Sequence, residues 1–261
     1  MTLRAHQASP SSAERPLALI TGATAGIGHE FAEQLAASGH DLILVARDRA
    51  RLEDIARDLG SRFGVRAEVL PADLTDPQAR AVVEQRLQAM PVAVLVNNAG
   101  FGIRAPFDRS DVADEQRMLD VMVTSVMRLT HAAVPGMVAR GRGAILNVSS
   151  VAGWTPTGTY ASAKAWATTF SQSLHAPLRR QGVVVTAVCP GFTHTEFHER
   201  AGMNLEQIPS WMWLNSADVV RRALRDSARG RSVSVAGANY RVLSFLARHA
   251  PRSIVARAAQ W

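Results

Sequence analysis

Six short apolar runs alternate with longer periodic stretches between Leu17 and about Val235: LALIT, DLILVA, RAEVLPA, VAVLVNNAG, GAILNVSS and VVVTAVCPG. Each is rich in Val, Ile and Leu, and most end at Gly, Pro or a small polar residue, which predicts buried strands. The intervening stretches carry a helical period. Phe31, Leu35 and Ala36 share one face, and Val82, Val83 and Leu87 are expected to share another. Strands that are apolar on both sides and separated by amphipathic helices predict a parallel sheet covered on both faces. Right-handed crossovers then make it a doubly wound α/β sheet. No linker or repeat interrupts the pattern, so residues 16–238 read as one domain. Residues 1–15 read as a loose polar tail and residues 239–261 as an amphipathic helical extension.

Composition adds little to this picture. Hydrophobic residues make up 47% and charged ones 20%, the mix of a folded soluble domain rather than a disordered chain. No run reaches the roughly 18 uncharged residues of a membrane span. Cys189 is alone, so neither an internal disulfide nor a cysteine-rich metal site is expected, and a reducing cytoplasm is the simplest compartment. The net charge of +7 raises nucleic acid as a partner. Acids interleave with arginines in stretches such as ARDRARLEDIARDLG, however, and a solvated mixed surface is the preferred reading. The end of the chain beyond Gly230 is the exception, with arginines and no acids.

The first strand runs into TGATAGIG and then a helix. Gly22, Gly26 and Gly28 allow a tight turn and a close approach of a pyrophosphate. The free N–H groups of the helix start would face that anion. Thr24 and Ile27 lie within the same cradle, and Thr24 could add a hydroxyl. The second strand ends in Arg47 and then Asp48. An acid at that strand end holds a ribose 2′-hydroxyl and a base accommodates a 2′-phosphate. Arg47 therefore favours NADP(H) over NAD(H), the alternative being one more surface arginine.

Positive charge is written as arginine 28 times and as lysine once, at Lys164, four residues after Tyr160, one of two tyrosines. Residues four apart share a helical face. An ammonium beside a phenol favours phenolate and is expected to lower the Tyr160 pKa. That makes Tyr160 a candidate general acid/base and Lys164 its partner, with a compact cation also able to bind ribose hydroxyls. Ser150, in NVSS, could fix the reacting oxygen.

TGATAGIG (21–28), NNAG (97–100), SSVAG (149–153), YASAK (160–164) and CPGFTHT (189–195) together resemble the short-chain dehydrogenase/reductase family, in its single-domain branch. The resemblance spans roughly residues 16–235. It implies a Rossmann-type, mostly seven-stranded sheet. It also implies that Tyr160, Lys164 and Ser150 are catalytic, with Lys164 and Tyr160 touching the cofactor as well. It places Asp73 at the adenine with Leu74 beside it, and Asn98, Ala99 and Gly100 along the adenosine ribose. Pro190, Gly191, Thr193 and Thr195 would hold the nicotinamide end. The family is expected to act on a carbonyl or alcohol and to form a homodimer or homotetramer.

Two features depart from that pattern. Met122 stands thirteen residues before Pro135, where the family writes an asparagine that helps a water chain feed protons to the lysine. A backbone carbonyl or Ser125 would have to take over, or turnover is impaired. The loop between Ser150 and Tyr160 is short for the family, and Trp154 within it either touches substrate or packs on the next helix. Met203, Leu205, Ile208, Trp211, Met212, Trp213 and Leu214 form an apolar lid that points to a lipophilic substrate, or else ordinary core. His194 and His198 read as surface residues rather than metal ligands. In the last helices Val242, Leu243, Phe245 and Leu246 form a stripe beside Arg241 and Arg248. It is expected to pack on the same subunit, with a dimer contact second and an anionic membrane surface third. The leading function is NADP(H)-dependent hydride transfer to or from a lipophilic or aromatic carbonyl or alcohol. A catalytically impaired nucleotide-binding scaffold is the alternative, and a sugar-nucleotide epimerase or dehydratase is disfavoured for want of a second domain.

Overall fold

Seven parallel strands run in the order β3-β2-β1-β4-β5-β6-β7. They are β1 (Leu17–Thr21), β2 (Asp41–Ala46), β3 (Ala67–Pro71), β4 (Val92–Asn97), β5 (Gly143–Val148), β6 (Val183–Val188) and β7 (Val233–Ser234). The computed structural model describes residues 15–103, 105–197 and 208–258. The expected tail is therefore almost wholly outside the described residues, as are Met203, Leu205 and His198.

Alternation along each strand splits the core in two. Leu19, Ile43, Val45, Leu95, Ile145 and Val185 face one side. There they meet α3 (Pro77–Ala89), α4 (Val112–Leu119), α5 (Ser125–Ala139) and α6 (Gly158–Arg179). Ala18, Ile20, Leu42, Leu44, Val96 and Leu146 face the other, under α1 (Gly26–Ala37), α2 (Arg49–Phe63) and α7 (Ser216–Ala228). This two-sided burial is why the strand runs lack polar alternation. The α4–α5 run is apolar enough to match a membrane span in composition, but half of its most apolar stretch is buried against the sheet, as a core helix is.

One predicted face is corrected. Val82 is half exposed, and Arg80, Val83 and Leu87 are the buried side of α3. Positions 80, 83 and 87 follow the i, i+3, i+7 stripe, which 82 does not. Arg80 Nη1 donates to the Leu74 carbonyl at 3.0 Å, while its buried Nε makes no hydrogen bond and lies 3.9 Å from the Glu84 carboxylate.

Sheet order reverses between β1 and β4, so their C-terminal ends open a crevice on one edge. A buried polar chain fixes α6 against that edge. Asn97 Nδ2 donates to Asn147 Oδ1 (2.9 Å) and to Thr130 Oγ1 (3.2 Å), and Asn147 Nδ2 donates to Ser171 Oγ (3.0 Å). Four elements, β4, β5, α5 and α6, are thereby locked in one register around the crevice.

Candidate active site

The glycine turn after β1 is built by its neighbours. Gly22 has φ +66° and donates its N–H to the Val45 carbonyl at 2.8 Å. A Cβ on Gly28 would lie 2.1 Å from the Gly22 oxygen, so only glycine fits where α1 leaves the turn. Asn98 Nδ2 donates to the carbonyls of Thr21 (3.0 Å) and Gly22 (3.2 Å), while Thr21 Oγ1 accepts from the N–H groups of Asn98 and Ala99. Asn98 thus braces the turn with its side chain. Its expected place along the ribose is left to the backbone and to Ala99 and Gly100.

The residues suit a dinucleotide on two counts. Helices α2, α3, α4 and α7 are each capped by an Asp or Asn side chain, at Asp48, Asp76, Asp111 and Asn215. Helix α1 begins at Ala25 with no side-chain acceptor and no acid in its first turn, leaving its N–H groups for an anion. Beside it lies a cavity of about 290 Å³ lined by Thr24, Ala25, Gly26, His29, Arg51, Ile55 and Glu196. Ile27 supports the turn from within the second core layer.

Beyond β2, Arg47 is exposed. Asp48 turns away, because its carboxylate accepts from the Arg51 N–H at 3.0 Å as the cap of α2. The acid one residue late in the sequence thus has a structural role. Asp73 Oδ1 accepts from Thr75 N–H (3.0 Å) and Thr75 Oγ1 (2.8 Å), which shapes the loop after β3. Leu74 is buried in the core, with its carbonyl held by Arg80. It can offer a cofactor only its N–H, which narrows the expected contact.

Ser150, Tyr160 and Lys164 come together at the ends of β5 and α6. Ser149 anchors the junction, donating to the Lys164 carbonyl (2.6 Å) and sharing a hydrogen bond with Thr168 Oγ1 (2.7 Å). Ser150 caps the 3-10 turn Val151–Trp154, accepting from Ala152 N–H at 3.1 Å, and its hydroxyl is near enough to Tyr160 to favour the phenolate. Lys164 is buried, and its Nζ donates to the Val148 carbonyl at 2.8 Å, 5.6 Å from the Tyr160 ring centroid.

The expected lowering of the Tyr160 pKa is not what this arrangement gives. Burial pushes the phenol up to about 12, against a smaller downward pull from Ser150. Burial also pushes Lys164 down to about 8. A cation aimed at a carbonyl and held off the phenolic oxygen cannot offset the loss of water around Tyr160.

The short loop is accommodated by Gly153. A Cβ there would lie 2.8 Å from both Lys164 C and Ala165 N, so the 3-10 turn rests directly on the backbone of α6. Gly153→Ala is expected to cost about 1–3 kcal/mol. It should also lower kcat about tenfold by displacing Ser150, given how sharply rate depends on placement. A thermal melt and initial rates on one preparation check both. Trp154 packs under Arg248 of α8 (Ala238–His249), with the guanidinium 4.1 Å from its ring centroid.

At the Asn-to-Met departure, residues Asp120–Thr124 form a π-helical turn between α4 and α5. Met122 is buried there, and a Cβ on Gly100 would lie 3.3 Å from its Sδ and 3.7 Å from Lys164 Nζ. Ser125 does not replace the asparagine, because its hydroxyl donates to the Val121 carbonyl of its own helix.

The residues expected on the nicotinamide side also fall together. The Pro190 carbonyl accepts from Val151 N–H (3.0 Å). Thr193 Oγ1 donates to the Gly191 carbonyl (3.0 Å) and Thr195 Oγ1 to the Thr193 carbonyl (3.4 Å). A Cβ on Gly26 would lie 2.8 Å from Thr195 Cγ2, so this segment closes over the glycine turn. His194 stacks on Trp213 at 4.5 Å. Three participants had no local signal in the sequence. Phe197 tilts over Tyr160 at 5.7 Å. Arg51 pairs with Glu196, 145 residues away, at 2.6 Å. Tyr240 hydrogen-bonds Phe192 N–H and the Met212 carbonyl over Gly191. Only the topology brings these partners into contact.

Residues 16–205 match the model of the short chain dehydrogenase family. The very-long-chain 3-oxoacyl-CoA reductase of Anas platyrhynchos is 34% identical over 187 residues, 69% of this chain and 60% of that protein. The chain thus spans about three fifths of the length of that reductase. Sulfoacetaldehyde reductase 2 of Chromohalobacter salexigens is 38% identical over 188 residues, 69% of this chain and 74% of its own. Among solved structures, a short-chain dehydrogenase from Sphingobium yanoikuyae in complex with NADPH is similar with a TM-score of 0.82 and 36% identity, covering 89% of this chain and 94% of that one. A bulky-bulky ketone specific alcohol dehydrogenase from Comamonas testosteroni gives a TM-score of 0.77 at 29% identity, covering 94% and 99%.

Proposed function

The chain belongs to the short chain dehydrogenase family, and from that premise we propose that it is an NADP(H)-dependent oxidoreductase acting on the carbonyl or alcohol carbon of a lipophilic substrate. The observation that carries this reading is the grouping of Ser150 and Tyr160, both partly buried, with the buried Lys164 at the same sheet edge as the uncapped start of α1. When bound, the cofactor supplies or takes up the hydride.

The glycine turn and the first N–H groups of α1 would hold its pyrophosphate. Arg47, with Thr24 across the turn, would hold a 2′-phosphate through charge-assisted hydrogen bonds. Similarity to a relative solved with NADPH supports that preference. Thr193 and Thr195 would bound the nicotinamide side, and the Lys164 ammonium has two donors beyond the one given to Val148 for ribose hydroxyls. Ser150 positions the substrate oxygen. Tyr160 gives that oxygen its proton in reduction and removes it in oxidation. A phenol pushed up to about 12 is protonated at neutral pH, the form that donates in reduction.

The aromatic cover from Phe197, Phe192 and Trp213 supports a bulky apolar substrate. So do relatives named for very-long-chain 3-oxoacyl-CoA and for bulky ketones. Val112, Leu119 and Met127 stay exposed along the α4–α5 run and support a homodimer or homotetramer.

A panel of bulky ketones and long-chain 3-oxoacyl thioesters with NADPH and NADH tests the reading. Turnover is expected with at least about tenfold higher kcat/KM for NADPH, the size of one charge-assisted contact. Absence of turnover on every member would sink it. The pH dependence has a defined sign. Oxidation needs phenolate, whose fraction rises tenfold per pH unit below a pKa of about 12, so kcat/KM should climb from pH 6. Above about 8 Lys164 loses the positive charge proposed to help hold the cofactor ribose, and the climb should flatten. Reduction needs the protonated phenol and should stay level from pH 6 to about 8. Initial rates in both directions check this.

A further inference from the structure

The last two helices hold the domain with one side and leave an apolar side uncovered. Tyr240 and Ser244 of α8 and Val255 of α9 (Arg252–Ala258) are buried. The stripe expected to pack on the same subunit points outward instead, with Phe245 61%, Leu246 55% and Ile254 58% exposed and Val242 and Leu243 beside them. Of eleven large hydrophobic residues exposed among the described residues, five lie on these two short helices, so this is a patch rather than scatter.

The charges around the patch narrow its occupant. Arg241, Arg248 and Arg257 have no ion-pair partner among the described residues. Many arginines elsewhere on the surface are paired with acids one turn away, as in Arg57–Asp54, Arg62–Asp58, Arg117–Asp114 and Arg221–Asp218, although a few such as Arg47 and Arg142 are not. The last acid in the sequence is Asp226, which is buried against Arg222 and Ser234. Among the described residues the face therefore offers apolar side chains and cations and no acidic side chain. A second copy docked by two-fold symmetry would set arginines against arginines, which disfavours self-association here. An anionic bilayer meets both requirements, apolar depth for Phe245, Leu246 and Ile254 and phosphates for the arginine heads.

We propose that the outer face of α8 and α9 docks the protein on an anionic lipid surface. The face adjoins the reaction centre, because Arg248 stacks on Trp154, which closes the turn that begins at Ser150. A bilayer held there would place a source of lipophilic substrate at the mouth of the site. That benefit rests on the proposed function, but docking does not, so the test reads binding alone.

The full chain is sedimented with phosphatidylcholine vesicles, with and without about one third phosphatidylglycerol, at low and high salt. The expected result is partitioning at least about tenfold stronger on the anionic vesicles, weakened by salt. A Phe245→Glu/Leu246→Glu variant and an Arg241→Gln/Arg257→Gln variant should each lose about tenfold of it, at unchanged melting temperature, since every substituted side chain is exposed. Equal sedimentation with neutral and anionic vesicles overturns the proposal. So does retention of binding in both variants, or a dimer in solution that Phe245→Glu converts to monomer.

Discussion

Replacing Tyr160 by Phe is expected to reduce kcat about 10²–10⁴-fold while NADPH affinity stays within about twofold, the loss that removing a positioned proton donor produces. In transition-state terms this is about 3–5 kcal/mol. The substitution removes one oxygen and keeps the ring, which packs beneath Phe197 at 5.7 Å. Ser150 would keep its own cap contact to Ala152 N–H, so the site should stay assembled. Stopped-flow NADPH fluorescence separates binding from turnover. A Tyr160→Phe enzyme within tenfold of the native rate would remove the phenol from the chemistry, and weakened NADPH binding would recast Tyr160 as a binding group.

Lys164→Arg has the second largest expected effect and answers why the chain switches its cation only here. The ammonium occupies a closed site, 2.8 Å from the Val148 carbonyl and beside Gly100 and Met122. A planar guanidinium is broader and cannot shed its proton. Overpacking should cost about 1–3 kcal/mol of stability, and kcat should fall about 100-fold through misplacement of the cation. The diagnostic is the pH profile. The bend expected near pH 8 in alcohol oxidation belongs to Lys164 and should vanish in the arginine enzyme, even where its residual rate is low. A bend that persists would assign that titration to another group.

The sheet was legible because both of its faces are covered. Six strands with mostly apolar middles, Glu68 of β3 and Thr186 of β6 aside, could be read directly, whereas β7, two residues long, carries too few side chains to make a pattern. The glycine turn, Ser150, Tyr160 and Lys164 were legible because each depends on local spacing. The pKa of Tyr160 was not, since burial and the direction of the Lys164 Nζ are set by how α6 meets β5. Val82 was misplaced because neighbours in a helix differ by a large rotation, and the real inner stripe runs through an arginine that composition alone would put outside. Asp48 and Asn98 look like ligands in a sequence and serve as a helix cap and a loop brace in the fold. Pairings such as Arg51–Glu196 and Tyr240–Phe192 span long chain separations and have no one-dimensional trace.

Tyr240 also bears on how this protein can be handled. Its ring lies over Gly191 and its hydroxyl ties the loop after β6 to the segment at Met212. The end of the chain is therefore not a dispensable appendage. Trimming back through Tyr240 to improve crystallisation or expression would cut the strut between the loop after β6 and the Met212 segment, so deletions from that end should leave Tyr240 and the rest of α8 in place.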